Sequence, residues 1–239
     1  MAAPQRQEPA SLFHKKGIPC VVWLEDALAH YGVPTVVFDL YLLVPDIDAA
    51  AQVLAEHGWA NAEAQSAEYH FLSRHADIPR RRLTPPGGVE PTTSEPSPWP
   101  PLPPSKEPPR PTTTVLLLAK DWRYPPVKLE SSLTKGPFPE LNDLLDSLIS
   151  SLLDWQDYPG VERHVSVQIC YLYAHVAEVK QVAFADKLKF ENRQFHHDVL
   201  SGLDVGTRKF STHELRIREE LRAGTRELKT CSLERTPEN

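Results

Sequence analysis

Cysteine is scarce in this chain, basic charge is in deficit, and long apolar runs are missing. Its 239 residues hold three cysteines. Cys20, Cys170 and Cys231 stand far apart with no metal-ligand spacing, which sets aside a disulfide scaffold and a zinc ribbon and fits a reducing compartment. Lysine and arginine number 26 against 32 aspartates and glutamates, a formal net charge of −6. General nucleic-acid binding usually shows the opposite surplus, so the charge argues against nucleic acid as a partner. No apolar run reaches the length of a membrane span, and the opening MAAPQRQEPASLFHKK has no apolar core of a secretory signal. The expected location is cytoplasmic or nuclear, with no membrane partner. What is present is ordinary: 41% hydrophobic and 24% charged residues, enough for a real core in one or two domains.

The stretch from Ile18 to Trp59 organises the rest. Cys20 to Leu24 is a short β-branched apolar run that reads as a buried strand. Glu25 to Tyr31 makes two helical turns with Ala27, Leu28 and Tyr31 inward. Gly32 ends them, and Pro34 forbids helix at the residue before it. Val36 to Val44 is a second apolar run, stopped by Pro45. Asp46 or Asp48 then caps a helix through Gly58. The order strand, helix, strand, helix predicts an α/β (α+β) fold, with a short helix near Ala10 to Lys16 leading into the first strand.

Asp39 is the oddity, a single charge inside the second apolar run. An unpaired carboxylate buried there costs several kcal/mol, so it has a partner or faces a cleft. Period-two geometry puts Asp39 and Tyr41 on one face and Phe38, Leu40 and Leu42 on the other. Either Asp39 is a cleft-facing carboxylate for a divalent metal, or it is a strand-end residue bonded to backbone or to an arginine. Spacing alone favours the second.

These residues resemble the core of the nucleotidyltransferase (DNA polymerase β-like) superfamily. There a strand leads into Gly-Gly or Gly-Ser, then x-Ala and a short helix, then Gly-x-Pro-Arg-x-Thr-x-Asp-x-Asp. The frame is similar without a gap: Leu24-Glu25 stands at the glycine pair, followed by Ala27, Gly32 and Pro34. Thr35 falls at the arginine, Val37 at the threonine, and Asp39 and Tyr41 at the two metal-binding aspartates. The resemblance implies a small mixed sheet with flanking helices, and it extends to a group of fungal proteins of unknown role sharing the opening motif. In the family, glycines let backbone approach a nucleotide and two carboxylates hold two Mg²⁺ ions. A phenol titrating near pH 10 cannot replace a carboxylate there. The resemblance therefore implies a catalytically degenerate member, working through a ligand or protein partner and without a cofactor. An alternative is an active Mg²⁺-dependent nucleotidyl or phosphoryl transferase using Glu25 and Asp39 as the catalytic carboxylates.

Further along, Tyr69 to Leu72 suggests a third strand, and Arg80-Arg81-Arg82 a solvated basic cluster or a small anion patch. His70, His75 and Asp77 lack ligand spacing and read as polar loop. Thr84 to Pro111 holds twelve of the chain's 24 prolines and reads as a disordered insertion. Within it Pro101, Pro104 and Lys106 fit a polyproline ligand of an SH3-like groove, a second alternative in which the chain is an adaptor. Thr112 to Lys120 reads as a central strand, with Asp121 at its end as the nearest stand-in for a third carboxylate. Trp122 and Tyr124 read as packing.

From Pro139 onward the pattern is helical. Leu141, Leu144, Leu145, Leu148, Ile149, Leu152 and Leu153 form an unbroken stripe, closed by Pro159-Gly160. A second helix is expected over 161–176 and a third over 180–200. A last one opens on a capping box, Ser211 to Glu214, and runs to 229. Arg193 and His197 are candidates to line a cleft opposite Asp39, with exposed ion pairing as the alternative. The expected organisation is a disordered 1–10, an α/β core over 11–83 and 112–136, the insertion 84–111, a helical region 137–230 and a disordered tail 231–239.

Overall fold

A computed structural model describes residues 6–62, 71–72, 75, 77–87 and 113–233. Five strands form one sheet in the order β1-β2-β5-β4-β3. They are β1 (Val21–Trp23), β2 (Leu40–Val44), β3 (Ala60–Asn61), β4 (Arg80–Thr84) and β5 (Thr114–Leu118). Only β2 and β5 run parallel; every other pair is antiparallel, so the sheet is mixed. The expected central strand is central, because TVLLL has no charge to keep out of the core and lies third of five.

The period-two expectation for β2 holds. Leu40, Leu42 and Val44 enter one apolar layer with Val22 and Leu116, under α1 (Glu8–Lys15) and α3 (Ile47–Glu56). Tyr41 and Leu43 enter the other layer with Val21, Trp23, Val115 and Leu117. That second layer is continuous with the helices that follow the sheet, so the α/β part and the helical part share one core. Its aromatic centre is Trp23 against Trp122 and Tyr124, edge to face, with Trp155 against Trp122. The helices are α2 (Glu25–His30), α4 (Pro126–Lys135), α5 (Leu141–Asp154), α6 (Pro159–His175), α7 (Arg193–Leu200) and α8 (Arg208–Arg222). The leucine stripe of α5 is buried throughout, and so are Ser147, Ser150 and Ser151 on its other face.

Several expectations need correction. Residues 6–10 are structured, since α1 begins at Glu8 and Arg6 is bound to Asp26. The strand expected from Val36 begins only at Leu40, and Val36 to Phe38 are exposed loop. Phe71 and Leu72 form a turn, while the arginine triplet, for which no element was expected, opens strand β4. Pro159-Gly160 starts α6 instead of ending α5, because proline suits a first helical turn that needs no N–H. The single helix expected over 180–200 is two 3-10 turns (Val182–Lys187, Phe190–Asn192) followed by α7. The Asp146 carboxylate accepts from the Lys189 N–H at 3.0 Å and the Asn192 side chain at 2.8 Å, which holds the break open. The last helix is capped by Thr207, leaving Ser211 and Glu214 buried one turn inside it. The tail is held as far as Ser232, whose N–H donates to Asp198. Residues 1–5 and 234–239 lie outside the described residues. So do the insertion from 88 to 111, with Pro101, Pro104 and Lys106, and the first half of the suggested strand 69–72.

Candidate functional site

Backbone geometry at the end of β1 sets the site. Leu24 adopts φ 53° and ψ −128°, a conformation natural to glycine and rare for a branched side chain. Holding it there costs roughly 1–3 kcal/mol, which burial of the Leu24 side chain, fully enclosed in the core, offsets by a comparable ~1.5–3 kcal/mol. The turn points Glu25, first residue of α2, into the interior with 5% of its surface exposed.

Glu25 meets α6 there. Its Oε1 accepts from His164 Nε2 at 3.0 Å and from Gln168 Nε2 at 3.2 Å, while Oε2 has no hydrogen-bond donor among the described residues. His164 and Gln168 are one turn apart on the same face of α6. His164 is stacked flat on Phe71, centroids 3.9 Å apart. One turn earlier Gly160 lets the helix approach: a Cβ there would lie 3.1 Å from the Phe71 carbonyl oxygen.

Asp39 lies just before β2. Parallel pairing of β2 with β5 continues the register to Thr113, whose carbonyl accepts from the Leu40 N–H. The Thr113 hydroxyl donates to the Asp39 carboxylate. Arg82, reaching across from β4, sets its Nε 3.4 Å from Asp39 Oδ2 and also donates to the Thr113 hydroxyl. Asp39 thus has an arginine among its partners. Arg6 closes the other side. It grips Asp26 with two bonds of 2.6 Å and donates to the carbonyls of Phe38 and Asp39.

Tyr41 sits between the two carboxylates, 4% exposed. Burial raises its phenol well above the usual tyrosine range, Asp39 and Glu25 raise it further, and Arg82 opposes them. It is a neutral phenol at physiological pH and cannot serve as an anionic metal ligand. Thr35 is half-buried in the segment before β2.

The other expected residues lie elsewhere. Asp121 follows the far end of β5. Thr113, level with Asp39, precedes the near end, and five strand residues separate the two ends by about 16 Å. No carboxylate from β5 therefore joins Asp39, because the matching position is Thr113. Arg193 and His197 are on α7, which packs on α8 and the two 3-10 turns. Arg193 is engaged by Asp186 and the Leu188 carbonyl, and no described contact links either residue to Asp39. Each arginine of β4 is engaged within the chain: Arg80 binds the His75 and Ile78 carbonyls, Arg81, still exposed, binds Asp48, and Arg82 binds Asp39.

Sequence reading missed Arg6, Arg82, His164 and Gln168. The i, i+4 spacing of His164 and Gln168 was a usable signal. The partnership of Arg82 with Asp39 was not, since 43 residues and a sheet pairing separate them. No protein-family model, curated protein or solved structure matches the chain.

Proposed function

We propose that the chain is a degenerate nucleotidyltransferase-type scaffold that binds a ligand or protein partner and does not catalyse metal-dependent phosphoryl transfer. The observation that carries this reading is the Arg82–Asp39 ion pair at 3.4 Å. A guanidinium stands against the carboxylate that would have to grip Mg²⁺, and a metal at this point would meet a fixed positive charge instead of a second anion. The glycine-like turn at Leu24, followed by Glu25 in place of a phosphate-cradling glycine, supports the same reading. Binding has a surface to act through, because Val36 and Phe38 are 68% and 70% exposed directly beside Asp39.

One observation favours the rival reading of an active transferase: Glu25 and Asp39 both lie near enough to Tyr41 to raise its pKa, so they share a neighbourhood. Isothermal titration with nucleoside triphosphates, with and without Mg²⁺, separates the two. The scaffold reading expects no metal-dependent heat. Micromolar binding that needs Mg²⁺ and disappears in Asp39→Asn would establish the transferase instead.

A further inference from the structure

A second polar cluster lies in the helical region, away from Asp39. Asp198 on α7 and His213 and Glu214 on α8 each present one ligand atom, and the three atoms lie within 4.8 Å of one another. Asp198 is fully buried and Glu214 is 1% exposed. One Asp198 oxygen is used: Oδ1 accepts from the Gln194 side chain at 3.0 Å and from the Ser232 N–H at 2.6 Å. The other is not. Asp198 Oδ2 and Glu214 Oε1 are buried with no N–H or O–H donor from any other described residue. Two acidic side chains sunk together without such donors call for a positive charge or a proton between them.

We propose that Asp198, His213 and Glu214 bind one divalent transition-metal ion of the zinc class. Two carboxylate oxygens and an imidazole nitrogen are a donor set for such an ion, with a fourth position left for water. The site has an approach, since His213 and Ser232 line an open groove of about 890 Å³ with Arg216, Glu220 and Lys229. His213 is half-buried beside the two carboxylates. Arg216 and Arg226, the cations whose charges reach His213, are both held by Glu220, at 3.1 and 2.8 Å.

Outer contacts fix the ligands as metal sites require. Gln194 bonds Asp198 and takes the Lys229 N–H on its Oε1 at 2.7 Å, and the His213 ring contacts the Ser232 hydroxyl at 2.8 Å. The same contacts tie the segment after α8 to α7, so the ion would act structurally, pinning residues 229–232.

The test uses the full chain stripped by chelator and titrated with Zn²⁺ against a chromophoric competitor. One Zn²⁺ per chain is expected, with affinity at least tenfold lower in His213→Gln and in Asp198→Asn, and unchanged in His175→Ala, an exposed histidine elsewhere. His213→Gln alters a partly exposed ring and keeps the argument testable if Asp198→Asn fails to fold. Zn²⁺ should also slow proteolytic cleavage after Arg226 in the wild-type chain and not in His213→Gln. No binding at micromolar Zn²⁺, or binding indifferent to His213→Gln, overturns the proposal.

Discussion

At Asp39 the charge balance is settled within the protein. Arg82 is about a quarter exposed and Asp39 less, so the pair is neither a free surface contact nor a dry one. Asp39→Asn should cost about 1.5–3 kcal/mol, the usual worth of hydrogen bonds to a charged group, read as a lowered urea midpoint. A second residue-scale pair is more heavily committed. Arg218, 3% exposed, is held by Asp154 at 2.5 Å, and Arg123 holds the same carboxylate. Burial alone pushes Asp154 up, but the bonds and charges of Arg218 and Arg123 outweigh it and hold its pKa below the usual 3.8. A folded-state pKa below the unfolded one gives stability that is complete above about pH 4 and fades as the pH falls through the folded value. Asp154→Asn should therefore cost about 3 kcal/mol at pH 7, because buried Arg218 loses its shorter partner and keeps only the exposed Glu219 at 3.4 Å. The gap between wild type and variant should narrow at pH 3. An equal gap at both values would show that the pair contributes nothing through charge.

Among the elements, those set by local chemistry were legible and those set by distant partners were not. The Asp46 cap of α3 could be read because Asp followed by an apolar period is a local signal, and its carboxylate does accept from the Asp48 and Ala49 N–H groups. Asp46→Ala should cost about 1 kcal/mol, measured by denaturant unfolding. The break between the 3-10 turns and α7 was hidden, because it is imposed by Asp146, more than 40 residues away along the chain. Asp146→Ala should lose amide protection across residues 182–192 while α5 stays protected, as hydrogen exchange would show. Glu214 misled for a related reason. Its spacing from Ser211 matches a capping box, yet Thr207 takes the cap and Glu214 turns inward to Asp198.

Across the whole molecule, hydrophobic patterning foretold an α/β layer with a helical region beside it, and these share one core in the structure. The candidate site was half legible. Glu25, Asp39 and Tyr41 stand in one short stretch whose frame could be laid over a family motif. Arg6, Arg82, His164 and Gln168, which contact those residues, come from three other places, the N-terminal segment, β4 and α6, and meet only through the fold. If Arg82 occupies the place of a cation, the paramagnetic ion Mn²⁺, added with a nucleoside triphosphate, should leave the backbone amide signals of Asp39, Leu40 and Tyr41 as sharp as signals across the sheet at Ala60. Selective broadening at Glu25 and at Asp39 to Tyr41, relieved by excess Mg²⁺, would instead place a metal between the two carboxylates and contradict the account.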